Sequence, residues 1–311
     1  MGSVIKEPIL KNKLRIYTAA WNDKYIDLFE KTVFRSFSWP DNLKTLKNEN
    51  VTWSFYTNKE SSTKLLQLAK RLELDNYEVR EVPHHSDMGV SLLKCFSREI
   101  EHCLSDNAKL LLAPPDSLFG DGSLKSIFEL GSQPESCVAV AHPRVLNTIF
   151  EYPEDLNLNE PVTNSQLVSA SFRHLHRSWS EAQYGYDKIN SYVGGVMWRQ
   201  IKKGLYSIQH RLPTNYLMHF TQSDLQFFTD PKRYCVFGDI DHLWPMKLIE
   251  EQRQRVVGSS DLAFICEVTD KQMNIPPNYP LDRNEPDRFW RNAYHNKIFR
   301  QFNVVFRGVE L

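Results

Sequence analysis

The chain has 311 residues, 41% hydrophobic and 24% charged, which is near the globular norm and excludes disorder, collagen and coiled coil. At roughly 100–200 residues per domain it makes one large α/β domain or two small ones, large enough to bury its core without disulfide staples. Lys plus Arg equals Asp plus Glu, 38 against 38, so the average charge excludes a strongly basic nucleic-acid binder while leaving room for a local basic patch.

Met1–Lys13 reads as an N-terminal tail without a signal-peptide core. Leu14–Ala19 reads as a strand, and Asn22 or Asp23 then caps a helix bearing Tyr25, Leu28, Phe29, Val33 and Phe37. Val51–Tyr56 is a second strand, stopped at Thr57-Asn58, and Ser61–Leu72 a helix. A strand over Tyr77–Val82 and a helix over Val90–Cys103 follow. Lys109–Ala113 is apolar nearly throughout, as a strand buried on both faces would be. A short helix over Gly122–Leu130 and a strand over Cys137–Ala141 complete the alternation. This pattern predicts a doubly wound, mostly parallel sheet with ligand loops at the carboxyl ends of its strands.

After Pro143 the alternation loosens. Thr163 caps a helix reaching His176, and Gly194-Gly195 interrupts a strand-like run over Ser191–Trp198, a sign of a bulge or close backbone approach. Tyr234–Phe237 reads as one more strand, Asp270–Asp287 as a surface loop, and Pro286–Phe302 as a closing helix. The reading divides the chain into the tail, a main domain over 14–260, and a C-terminal loop and helix over 261–311 that close it. The five cysteines show no C-x-x-C spacing and read as reduced structural thiols. No apolar run approaches a membrane span. A cytoplasmic protein with no obligate protein partner is the expectation.

The chain lacks G-x-G-x-x-G after the first strand, G-x-x-x-x-G-K-[ST], H-E-x-x-H and G-x-S-x-G. With only 12 glycines, a bound phosphate needs a metal or basic side chains rather than a glycine cradle. The most specific segment is Leu110–Leu124, where a buried strand ends in Pro114-Pro115-Asp116. Two prolines force the chain out of the sheet and hold Asp116 at its rim, where a carboxylate either caps the next turn or holds Mg²⁺ or Mn²⁺ against a diphosphate. Asp121 reads as a helix cap. Asp239 and Asp241, two apart in an extended run with His242 beside them, share a face and are candidate metal ligands or part of a turn. His84-His85 and His174 with His176 read as ordinary hydrogen-bonded histidines. Trp198 reads as core, and Trp179 as exposed enough to stack on a sugar or base.

Several segments in this order carry a family resemblance: Thr18–Tyr25, Phe37–Leu43, Phe55–Asn58, Pro115–Leu124, Leu167–His176, Gly204-Leu205 and Val236–Asp241. They resemble the GT-A group of nucleotide-sugar glycosyltransferases, and within it a set of bacterial and phage proteins, over roughly residues 14–250. The resemblance implies a GT-A-like fold, which is Rossmann-like with a mostly parallel sheet flanked by helices. It implies that Thr18, Ala19, Ala20 and Trp21 hold the base and ribose with Asn58 beside them. Asp116, followed by Ser117, takes the place of the acidic metal motif, and Asp239, Asp241 or His242 completes the metal or diphosphate site. Gly195 lies close to the donor, and Asp224 faces the acceptor or sugar. For an inverting enzyme the resemblance implies a general base, with Asp224 or Asp241 as the candidates, whereas a retaining one needs no dedicated base.

Family members carry Asp-x-Asp where this chain has Asp116-Ser117-Leu118, with one carboxylate. Lys94, Arg144 or Arg199 is the expected substitute for part of the cation's charge. The implied activity is transfer of a sugar from a nucleoside diphosphate sugar, a UDP-sugar first, to an acceptor hydroxyl with Mn²⁺ or Mg²⁺. The acceptor is a glycan precursor, a metabolite or a hydroxymethylated base in phage DNA, the last through the basic middle region of Arg173, Arg177, Arg199, Lys202, Lys203 and Arg211. The alternatives are a sugar-nucleotide nucleotidyltransferase, disfavoured because no Gly-rich, Lys/Arg-bearing loop follows the first strand, and a non-catalytic nucleotide-sugar or glycan-binding module.

Overall fold

The apolar run after Lys13 forms β1 (Lys13–Ala19), an interior strand of the sheet that organises the protein. The computed structural model describes residues 12–83, 88–180, 182–183, 196–210, 212–229, 243–270 and 303–309. In chain order the elements after β1 are α1 (Asp23–Phe29), a π turn (Glu30–Phe34), α2 (Arg35–Phe37), α3 (Pro40–Lys47), β2 (Asn50–Thr57), α4 (Lys59–Lys70), β3 (Asn76–Glu81) and α5 (Met88–Asp106). Next come β4 (Lys109–Leu112), β5 (Ser117–Phe119), α6 (Ser123–Leu130), β6 (Cys137–Val140), β7 (Arg144–Leu146), α7 (Asn164–Arg173) and α8 (Arg177–Ser180). The chain continues with β8 (Val196–Lys202), β9 (Leu205–His210), β10 (Thr214–Met218), α9 (Gln222–Thr229), α10 (Leu243–Glu250), β11 (Gln254–Val256), β12 (Ile265–Thr269) and β13 (Asn303–Arg307).

Among the described residues, seven strands form the main sheet in the order β3-β2-β1-β4-β10-β6-β11. All neighbours are parallel except β10, which runs antiparallel to both β4 and β6. The fold class is α/β, a Rossmann-like, mostly parallel sheet with helices packed on it, as the alternation predicts. Ile16 pairs with Trp53 on one side and Leu111 on the other. Phe29, Phe37, Phe55 and Trp53 form a fully buried aromatic cluster over this centre. Two smaller sheets, β5-β12-β7 and β13-β9-β8, flank the large one.

Local chemistry sets the helix starts. Asn58 caps α4 by accepting the Ser61 N–H, and Thr163 with Gln166 forms a capping box on α7. Helix α3 begins with Pro40 at its first turn and lacks a cap from its own chain neighbour. Its free N–H groups at Asp41 and Asn42 are instead accepted by Asp121, each at 3.1 Å, while Asn42 Oδ1 accepts the Leu124 N–H of α6. Asp121 is thus a cap, as read, but for α3 rather than for the helix that follows it.

Strand β10, which the sequence reading does not assign, lies between β4 and β6. Two expectations change. The region read as a loop and helix after residue 260 contributes β12 and β13. Trp179 is buried rather than exposed, its carbonyl accepting the Trp198 indole N–H at 2.7 Å. Cys95, Cys103, Cys137 and Cys266 are buried free thiols, and no helix among the described residues is long and apolar enough to cross a membrane. The strand expected at 234–237, the helix expected at 286–302, Cys235, Arg211 and His84-His85 lie outside the described residues.

Candidate active site

Parallel strands β1 and β4 end side by side, and their exit loops open into a cavity of about 500 Å³. This is the edge at which open α/β sheets bind ligands. One wall carries Ala19 at the end of β1 and Trp21, Asn22 and Tyr25 from the loop and helix that follow. The opposite wall carries Pro114, Pro115, Asp116 and Ser117 after β4, with His142, Arg144, Tyr216 and Glu267. Tyr17, Leu92 and Leu112 make its apolar end.

The polar floor is built by strand pairing. In the small sheet Glu267 is the direct partner of Ser117 on β5 and of Arg144 on β7, so three segments far apart in sequence meet side by side. The Asp116 carbonyl accepts the Val268 N–H at 2.8 Å, which ties the turn after the two prolines to β12. The Arg144 guanidinium closes on Glu267 at 2.7 Å, and the His142 ring stands 3.7 Å from the same carboxylate.

These contacts split the two carboxylates. Glu267 is largely buried, which opposes ionisation, but the facing His142 and Arg144 outweigh that cost and hold it below the usual carboxylate range. Asp116 is raised, by burial first and by the charge of Glu267 second. One carboxylate is firmly ionised, and its neighbour is repelled by it. A divalent cation between them would relieve that repulsion.

The backbone on the other wall is strained. Asn22 has φ 68° and ψ 157°, a region that side chains other than glycine seldom occupy. Its Oδ1 accepts the Tyr25 N–H, which caps α1, and its own N–H is donated to Ser61 Oγ. The π turn that follows brings the Thr32 hydroxyl to 2.7 Å from the Pro115 carbonyl, buttressing the Asp116 turn from behind.

The structure brings together Ala19, Trp21, Asp116, Ser117 and Arg144 of the expected site. Others take different places. Thr18 is buried beneath the sheet edge, donating to the Ala113 carbonyl and accepting from Trp53. Ala20 is buried, and Asn58 caps α4. Lys94 is exposed on α5 and does not line the cavity. Gly195, Asp239, Asp241 and His242 lie outside the described residues.

Asp224 requires a correction, because it cannot serve as an exposed base. Its side chain is wholly buried and binds Arg253 through both oxygens, at 3.1 and 2.8 Å, with Lys247, Trp244 and Thr221 completing its partners. Burial works against ionisation, yet the Arg253 hydrogen bonds and the other donors push its pKa far down. It joins α9 to the segment before β11. Arg144, expected as a stand-in for a cation, is engaged with Glu267.

Glu267, His142 and Tyr216 were not read as site residues. The signal for Glu267 was a single carboxylate inside the apolar run Phe264–Val268, since an acidic residue in a buried strand needs a partner. Among the described residues no group of three or more His, Cys, Asp or Glu is placed to hold a metal ion. Asp116 and Glu267 nevertheless supply hard oxygen donors, and Mg²⁺ is commonly held by one or two carboxylates plus substrate phosphates and water.

No protein-family model and no curated protein sequence matches the chain. Among solved structures it is similar to mouse xyloside xylosyltransferase 1 at 12% identity and a TM-score of 0.29, over 48% of this chain and 58% of the other. It thus spans under two thirds of that protein's chain. It is also similar to a Bacillus anthracis structure described as a glucose-1-phosphate thymidylyltransferase, at 9% identity and a TM-score of 0.35, over 93% of this chain and 96% of the other. At these scores neither likeness bears on the reaction.

Proposed function

We propose that the protein is a glycosyltransferase that moves a sugar from a nucleoside diphosphate sugar, a UDP-sugar in the first instance, to an acceptor hydroxyl. The observation that carries this reading is the convergence of Asp116 and Glu267 at the carboxyl ends of β1 and β4, beside Arg144. Arg144 is engaged by Glu267, so the cavity offers a diphosphate little net positive charge of its own, and a divalent cation that draws the proton off Asp116 would supply it.

Asp116 and Glu267 would hold Mn²⁺ or Mg²⁺, and bound there it would offset the negative charge that develops on the departing diphosphate. Arg144 keeps Glu267 ionised and oriented. Trp21 offers a ring surface for a base, and Asn22 and Tyr25 offer polar groups to ribose or sugar. The acceptor oxygen bonds to the anomeric carbon, the bond from that carbon to the diphosphate oxygen breaks with its electron pair on the nucleotide, and the hydroxyl proton is released. Asp241 remains the proposed base, because Asp224 is sealed in its ion pair.

The test is a product assay with UDP-sugars and Mn²⁺. Nucleoside diphosphate with a glycosylated acceptor, or with free sugar, supports the reading. Pyrophosphate made from UTP and a sugar 1-phosphate identifies a nucleotidyltransferase instead. Binding of UDP-sugar without any turnover identifies a non-catalytic module.

A further inference from the structure

A second cavity of about 430 Å³ lies beside the first, and Asp116 and Tyr25 line both. Its remaining walls come from α1 and the π turn on one side, and from residues after β7 and the end of β12 on the other. We propose that this cavity receives an uncharged, hydroxyl-rich acceptor, a carbohydrate, and rejects nucleic acid. The proposal rests on reading the first cavity as the donor site and names the substrate class that meets it at Asp116.

Charge decides against a polyanion. Asp27, Asp116, Glu151 and Asp270 line the cavity against Lys24 and Lys31. Lys24 is already paired with Asp270 and Asp27 with Lys64, each at 2.7 Å, so four carboxylates stand against three ammonium groups. Nucleic acid binds by neutralising phosphates with Lys and Arg, and carries one charge per about 1.7 Å of duplex. It would meet more carboxylates than ammonium groups here. The basic middle region does not compensate, because none of its described residues lines either cavity, and Arg173 is paired with Asp155 at 3.0 Å.

Side-chain chemistry points to a sugar. Tyr25 and Phe150 present partly accessible rings, which suit the C–H face of a pyranose. Asn147 is exposed and offers both donor and acceptor, while the Glu151 carboxylate accepts hydrogen bonds from hydroxyls. Because Asp116 is common to both cavities, an acceptor hydroxyl here lies next to the diphosphate end of a donor in the other. The bonds made and broken are those given above.

The experiment is saturation-transfer NMR on the full chain. It uses methyl glycosides of glucose, galactose, xylose and N-acetylglucosamine, with and without UDP and Mn²⁺. A hydroxymethylcytosine duplex is the competitor, and UDP affinity is measured in parallel by calorimetry. At least one glycoside should show saturation of its ring protons. That signal should fall about fivefold in Phe150→Ala and in Asn147→Ala, the loss of roughly one contact. UDP affinity should stay within about twofold, since neither residue lines the donor cavity, and the duplex should not compete. Should Phe150→Ala fail to fold, the exposed Asn147 decides. No saturation from any glycoside with UDP and Mn²⁺ present, signals unchanged in the variants, or binding of the duplex would overturn the proposal. Glycoside binding that is lost in the variants while UDP fails to bind would sink the donor reading and leave this cavity a carbohydrate site.

Discussion

Glu267 and Arg144 are direct partners in the parallel pairing of β12 with β7, and their side chains close at 2.7 Å. Ser117 lies on the other side of Glu267, so the strand after residue 260 delivers a carboxylate to the Asp116 turn. The acidic pair that the local sequence lacks is assembled here from a turn and a strand more than a hundred residues apart.

Glu267→Gln keeps the shape and removes the charge. Arg144 then loses its anion and Asp116 loses the charge that repels its own ionisation. Both residues are partly solvated, so the stability cost is small, about 1 kcal/mol. UDP affinity in the presence of Mn²⁺ should drop at least about tenfold. Urea denaturation and calorimetry check the two effects separately, and a variant that binds UDP as tightly as the parent contradicts the role of Glu267.

The raised Asp116 carboxyl makes a signed prediction. Its ordinary value is 3.8, and in the folded protein it lies higher. The folded state therefore holds its proton to higher pH, and stability is lost as pH rises from about the ordinary value through the folded one. Asp116→Asn removes that loss. The variant should be more stable than the parent at about pH 8, by on the order of 1 kcal/mol or more, with little difference near pH 4. For the same reason Mn²⁺ binding to the parent should release protons and strengthen with pH. A variant less stable than the parent at high pH contradicts this.

Asp224 and Arg253 should behave as structure. Removing one partner of a buried ion pair costs about 3–5 kcal/mol, so Asp224→Ala should lower the melting temperature sharply. Any folded fraction should keep its KM for the donor. The pKa of Asp224 is depressed, so its stabilisation is present above the ordinary carboxylate range and is lost as pH falls below about 4. Acid titration of the parent and of Asp224→Asn tests this: the acid-induced loss should shrink in the variant.

Asn22→Gly separates strain from capping. Relief of the backbone is worth about 1–3 kcal/mol, whereas a glycine cap loses only a few tenths. The variant should gain about 1 kcal/mol in stability while binding UDP more weakly, since Asn22 lines the donor cavity. Loss of stability would show that the observed conformation is not strained.

The central strands were legible because each is an apolar run between turn formers, as in Leu14–Ala19 and Lys109–Ala113. The turn at Pro114-Pro115-Asp116 was legible because proline must leave a sheet. Strand β10 was not, since Thr214-Asn215-Tyr216-Leu217-Met218 has neither clean alternation nor an unbroken apolar run. Asp224 was misread as a base although Thr221-x-x-Asp224 has the spacing of a capping pair, and the Thr221 N–H does donate to Asp224. Glu267 could not be assigned from a five-residue strand, because its role comes from the neighbours that tertiary pairing gives it.

The central claim is that Asp116 and Glu267 admit a nucleoside diphosphate through a shared divalent cation. Isothermal titration of UDP into the full chain, with Mn²⁺ and with chelator, tests it most directly. Binding that requires Mn²⁺ and weakens at least about tenfold in Asp116→Asn is the predicted result. UDP binding that is equally tight in chelator, or unchanged in Asp116→Asn, would contradict it.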